Sequence, residues 1–95
     1  MSLKNAKAKG SRNERRSAAL FEALGYLCTK AGGSLGIFDI IAINSQETVA
    51  IQCKSNAWPG SVEMEGLKMF RKHPNMRILV HKWVDRKKMP EVREI

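Results

Sequence analysis

Hydrophobic and polar positions follow two rhythms along this chain, one helical and one of strands. Ala18, Ala19, Leu20, Phe21 and Leu24 succeed a charged stretch at helical spacing, and Gly25 supplies a C-terminal stop. Ser11-Arg12-Asn13-Glu14, ahead of them, has the S-x-x-E form of a capping box, so the pattern predicts a first helix over residues 12–24. Glu14 and Phe21 share a face of that helix, which leans Glu14 toward the core. Residues 26–30 read as a short strand, followed by the glycine-rich connection Ala31-Gly32-Gly33-Ser34-Leu35-Gly36, which fits no phosphate-loop pattern. Residues 37–43 and 49–54 are β-branched runs separated by the turn-forming Asn44-Ser45-Gln46-Glu47-Thr48, and they predict a hairpin.

Beyond the hairpin, Trp58-Pro59-Gly60-Ser61 forms a loop, with Ser61 placed to cap a second helix carrying Met64, Leu67 and Phe70 at a regular spacing. Glu63 and Glu65 fall in its first turn and Arg71, Lys72 and His73 in its last, as the helix dipole favours, and Pro74 terminates it. Ile78-Leu79-Val80 within residues 77–84 signals a buried strand, and residues 91–95 a final edge strand after the basic loop Arg86-Lys87-Lys88. The order α-β-β-β-α-β-β predicts an α/β fold, a mixed sheet flanked by helices on both faces. No composition shift suggests a linker, so residues 1–95 read as one domain.

Composition adds the nature of the partner. The chain is 43% hydrophobic and 27% charged, as in soluble globular proteins, and no apolar run approaches the roughly 20 residues of a membrane span. We therefore expect a cytoplasmic protein without a membrane partner. Seventeen Lys and Arg against nine Asp and Glu leave a net charge of +8, which points to a polyanion. Residues 1–9 are a basic arm, either ordered against such a partner or a solvated, disordered tail. Cys28 and Cys53 lack metal-ligand spacing and read as reduced core thiols; a zinc site with His73 and His81 is disfavoured.

Candidate chemistry sits in the hairpin. Asp39 is a carboxylate between bulky apolar residues, where burying an unpaired charge is costly. A hairpin closed symmetrically about Ser45-Gln46 sets position 39 opposite position 52, on the face that also carries Lys54. A carboxylate, an amide oxygen and an ammonium group converging there suit a hard divalent cation beside an activated water, with Glu14 a further oxygen from the first helix. Two structural readings stand beside this: an Asp39–Lys54 ion pair at a sheet edge, and Glu14 engaged in its capping box.

Gly36-Ile37-Phe38-Asp39-Ile40-Ile41 followed by Ile51-Gln52-Cys53-Lys54 resembles the split PD-(D/E)XK nuclease signature, with Phe38 at the nominal proline and Gln52 where an acid is usual. Lys9-Gly10-Ser11-Arg12-Asn13-Glu14-Arg15 and Ala31-Gly32-Gly33-Ser34 resemble, more closely, the archaeal-type Holliday junction resolvases, over roughly residues 9–84. The resemblance implies a restriction-endonuclease-like sheet and a small basic homodimer that nicks four-way DNA junctions with Mg2+, or Mn2+ as a substitute. It places Asp39, Gln52 and the Cys53 carbonyl as metal ligands, Lys54 as the catalytic lysine and Glu14 as the acid of the first helix. Ser34 would lie near the scissile strand, and Lys7, Lys9, Arg12, Arg15 and Arg16 would grip phosphates. The amide at position 52 leaves the site one negative charge short and should weaken its hold on magnesium.

Each phosphate neutralised by Lys or Arg releases counterions, so affinity comes without sequence readout, and symmetric nicking of a junction requires a two-fold dimer. Trp58, Trp83 and Met69 are candidates for that interface or for the core, and Trp58 also for stacking on a base. The leading expectation is a metal-dependent, structure-selective endodeoxyribonuclease of the resolvase type. The alternatives are a VRR-Nuc-type nuclease acting on flaps or other DNA structures, and a non-catalytic nucleic-acid-binding module in which Gln52 marks a decayed site.

Overall fold

A computed structural model describes residues 3–31, 36–70 and 72–95 of the chain, with side chains of the first helix from Lys9 onward. The elements run α1 (Leu3–Ala23), β1 (Leu27–Lys30), β2 (Ile40–Ile43), β3 (Thr48–Ser55), α2 (Ser61–Met69), β4 (Met76–Trp83) and β5 (Glu91–Glu94). This is the order read from the sequence. The strands form one sheet in the order β1-β2-β3-β4-β5, antiparallel throughout except for the parallel β3–β4 pair that α2 bridges. No described helix is long and apolar enough to cross a membrane.

Helix α1 begins well before residue 12, which corrects the expected boundary. Leu, Ala and Lys dominate residues 3–9 and are good helix formers, so the helix propagates through Gly10 and Ser11 instead of starting at them. Ser11 is therefore interior, no capping box forms there, and Glu14 is released from that role. The C-terminus closes as expected. Tyr26 N–H donates to Phe21 O and Gly25 N–H to Glu22 O, both at 3.0 Å, with Gly25 at φ 92°, a left-handed residue that glycine adopts without strain. The Phe21 and Tyr26 rings meet edge to face across this cap at 5.0 Å.

Helix α2 differs in two details. Gly60, not Ser61, is its N-cap, and no side-chain hydrogen bond caps it; the helix stops at Met69, short of Lys72 and His73. Arg71 lies outside the described residues.

The central strands are buried on both faces, which explains their nearly continuous apolar runs. On one face Phe21 of α1 packs with Ile40, Ala42, Val49, Ile51 and Leu79; on the other Leu67 of α2 packs with Phe38, Ile41, Ala50, Ile78 and Val80. The β2–β3 register sets Ile40 opposite Ile51 and Ile41 opposite Ala50, as a hairpin symmetric about Ser45-Gln46 requires, but the pairing stops there: Asp39 N–H also turns to Ile51 O, so position 39 shares Ile51 with Ile40 instead of pairing with Gln52 as expected. Asn44 fixes the turn: its Oδ1 accepts from the Gln46 and Glu47 amides at 2.8 Å. Edge strand β5 is exposed and held by the ion pairs Arg77–Glu94 and Lys82–Glu91, charges that also discourage pairing with a further strand. Cys28 and Cys53 are free thiols.

Candidate active site

Asp39 lies one residue before β2, between Phe38, packed toward α2, and Ile40, packed toward α1. Its main chain departs from the ladder by one residue, donating to Ile51 O at 2.9 Å, and its Oδ2 accepts the Cys53 amide at 2.8 Å. That bond aims the carboxylate across the end of β3. Burial pushes its pKa up from the ordinary aspartate value; the Cys53 N–H bond and the field of Lys54 oppose the rise without cancelling it.

Glu14 approaches from α1. Its pKa is also raised, first by burial and then by the Asp39 charge, against a lowering by Lys30. Glu14 on α1 thus stands near enough to Asp39, at the head of β2, for the Asp39 charge to disfavour its ionisation, a repulsion that a cation between them would relieve.

Gln52 contributes the third group. Its residue is 7% exposed, its Nε2 donates to Glu63 Oε2 at 3.5 Å, and its Oε1 is buried without a hydrogen-bond partner among the described residues. An amide carbonyl removed from water and left unpaired costs roughly 1–3 kcal/mol. Among the described residues no three His, Cys, Asp or Glu side chains group as a metal site, so an ion here would rest on two carboxylates and oxygens of other kinds. The donor set fits a hard cation: Asp39, Glu14 and a carbonyl that lacks any other partner.

Lys54 departs from the ion-pair reading: it makes no salt bridge with Asp39 but places Nζ 3.1 Å from each oxygen of Glu63, while its field still reaches Asp39. Glu63 was legible only as the first-turn acid of α2; its role becomes visible once the loop at residues 56–60 turns the helix start back over β3. The lysine lowers the Glu63 pKa.

Beneath the site, Cys53 points toward α1. Its thiol donates to Ser17 Oγ at 3.3 Å, Trp83 Nε1 donates to the same oxygen at 2.8 Å, and Ser17 Oγ meets His81 Nδ1 at 2.8 Å. Burial pushes the Cys53 thiol up to about 12 and the His81 imidazole down to about 4, so both are neutral, and the Ser17 hydroxyl has His81 Nδ1 as acceptor. Asn13 ties α1 to the end of β3 by donating to Ser55 Oγ at 2.8 Å. Sequence periodicity gives no signal for such contacts, which join positions dozens of residues apart.

The candidate phosphate-binding residues divide. Arg12 and Arg15 are exposed on α1. Lys9 is engaged with Asp85 at 2.6 Å. Arg16 stacks on Trp83 at 4.0 Å and donates to the Lys87 carbonyl at 2.8 Å, which makes it a brace between α1 and the β4–β5 loop. The side chain of Lys7 and all of Ser34 lie outside the described residues. Trp83, 2% exposed, belongs to the core and not to a surface; Met69 is 76% exposed, and Trp58 is half-buried with Lys82 and Arg93 over its ring at 5.0 and 4.3 Å.

A five-stranded mixed sheet with a helix on each face, and an aspartate, an amide and a lysine at the end of its central hairpin, is the restriction-endonuclease-like fold. Among solved structures the chain is similar to Hjc of Archaeoglobus fulgidus, a Holliday junction resolvase from an archaeal hyperthermophile, with a TM-score of 0.68 and 23% identity, covering 92% of this chain and 71% of that one. At this identity the likeness is one of fold, and it matches the resemblance read from the sequence. No family model matches the chain, and no curated protein sequence matches it significantly.

Proposed function

We propose that the protein is a metal-dependent, structure-selective endodeoxyribonuclease that nicks four-way DNA junctions symmetrically as a homodimer. The buried Gln52 carbonyl, without a hydrogen-bond partner among the described residues, together with Glu14 held near the Asp39 carboxylate, is the observation that carries this reading. The likeness in fold to a protein named as a Holliday junction resolvase supplies the substrate class.

In this reading Asp39, Glu14, the Gln52 side-chain carbonyl and the Cys53 main-chain carbonyl hold Mg2+, or Mn2+ in its place. Such an ion, when bound, polarises a phosphodiester and eases deprotonation of water. The chain's own groups do the rest. The Cys53 N–H bond keeps Asp39 oriented. Lys54 Nζ carries three N–H donors for a non-bridging phosphate oxygen and the entering water. Its bond to Glu63 is half exposed, and such pairs are worth only about 0–1 kcal/mol, so an arriving phosphate can exchange for it.

Arg12 and Arg15, together with the exposed loop residues Arg86, Lys87 and Lys88 that Lys9–Asp85 and Arg16 tie to α1, are the basic groups offered to phosphates. A panel of four-way junctions, flaps, nicked and linear duplexes in Mg2+ tests the proposal. Paired symmetric nicks in the junction are expected, with Asp39→Asn losing cleavage and keeping junction affinity. Cleavage by that variant at the parent rate would remove the site assignment. Preference for flaps would favour a VRR-Nuc-type activity. Binding without metal-dependent cutting would leave a nucleic-acid-binding module.

A further inference from the structure

An amide differs from a carboxylate in a way that matters at position 52. Either oxygen of a carboxylate can face a cation, whereas an amide turned the wrong way presents two N–H groups. A glutamine in a cation site therefore needs something to decide which end faces inward. Gln52 Nε2 donates to Glu63 Oε2, while Oε1 is buried with no partner. Glu63 in turn accepts from Lys54 through both oxygens at 3.1 Å, so its carboxylate is held between the two side chains. A flipped amide would set its carbonyl against the Glu63 carboxylate and bury an unpaired NH2; both changes are unfavourable.

We propose that Glu63 is a positioning residue that holds the amino end of the Gln52 amide toward α2 and so leaves its carbonyl end free for a cation. The inference rests on the cation-site reading above. It also explains how a neutral side chain can stand where the nuclease signature usually has an acid: the negative charge has moved to α2, where it orients the amide instead of touching the ion.

The consequence is non-additivity between two substitutions. Gln52→Glu by itself adds a charge to the site but sets that carboxylate against Glu63, and the repulsion should consume the gain. Glu63→Gln removes the repelling partner. Isothermal titration of Mn2+ alone into the metal-free parent, Gln52→Glu, Glu63→Gln and the double variant measures this. In the parent background Gln52→Glu should change Mn2+ affinity by less than about threefold, and in the Glu63→Gln background it should tighten binding by about tenfold or more, the scale of repulsion between close, half-solvated charges. Glu63→Gln alone should weaken Mn2+ binding several-fold.

Glu63 is exposed in the first turn of α2, so the variants are expected to fold, which circular dichroism monitors. If Gln52→Glu tightens binding by the same factor in both backgrounds, Glu63 is not coupled to position 52 and the proposal is overturned while the cation site stands. If none of the four proteins takes up Mn2+ at millimolar concentration, the cation-site reading fails and this inference with it.

Discussion

Single residues at the site are balanced against stability. Asp39 is more easily ionised in the unfolded chain, because its folded pKa is raised by burial. Its contribution to stability is thus fully present below the unfolded pKa and is lost as pH rises through the folded value. Asp39→Asn keeps an oxygen for the Cys53 amide and discards the buried charge. It should raise the Tm of the metal-free protein at pH 7, and the gain should vanish below about pH 4, where the parent carboxyl is protonated in both states. Melting curves in chelator at the two pH values check this; a lower Tm at neutral pH would mean the charge is already compensated. Ser17 is the opposite case. It gives the Trp83 N–H, the His81 ring and the Cys53 thiol a common partner in the core. Ser17→Ala should cost about 2 kcal/mol or more in urea unfolding, since it strands buried polar groups. An unchanged midpoint would show that the cluster contributes nothing.

Elements were legible wherever a local signal decided them. The hairpin register followed from the Asn44 turn and the two β-branched runs, and the end of α1 from Gly25. The start of α1 was not, because a capping-box sequence only offers a helix start; good helix formers upstream let the helix run past it. Two polar bonds across the sheet edge, Tyr26 to Glu47 and Arg77 to Glu47, join the end of α1 to the hairpin turn and β4, a linkage with no local pattern. Helix α2 supplies a test of local preference alone. A Cβ at Gly66 meets no heavy atom within 4 Å, and its φ is not in the left-handed region. Gly66→Ala should therefore stabilise the protein by about 0.5–1 kcal/mol through helix propensity, measured by denaturant midpoint. A loss would indicate that α2 needs this glycine for a contact with another molecule.

At the scale of the whole molecule, charge and pH set the behaviour. His81 is driven down from 6.5 to about 4 by burial against α1. In that window the unfolded chain binds the proton and the folded one does not, so its contribution is full above pH 6.5 and is lost as pH falls toward 4. Asp39 and Glu14, with raised values, work in the opposite sense as they protonate. The fall in Tm from pH 7 to 4 should accordingly be shallower in His81→Asn than in the parent; equal slopes would place the acid sensitivity elsewhere. Under the proposed function, the net charge of +8 would make affinity for DNA depend on salt. Replacing Arg86, Lys87 and Lys88 together by alanine should reduce the slope of log K against log salt by up to about 3, at roughly 0.9 for each phosphate no longer neutralised. An unaltered slope in fluorescence anisotropy would exclude this loop from the interface.

The amino-acid sequence alone determined the order of elements, the register of the β2–β3 hairpin and the basic character of the chain. Each of these depends on local periodicity, turn chemistry or simple charge count, none of which needs distant residues. Folding in three dimensions decided the partners: Lys54 with Glu63 instead of Asp39, Glu14 released from a cap to stand near Asp39, Arg16 laid on Trp83, and the Gln52 carbonyl left unpaired. Side-chain partnership depends on which loop returns which helix over the sheet, and that geometry is a property of the packed chain, absent from any window of its sequence.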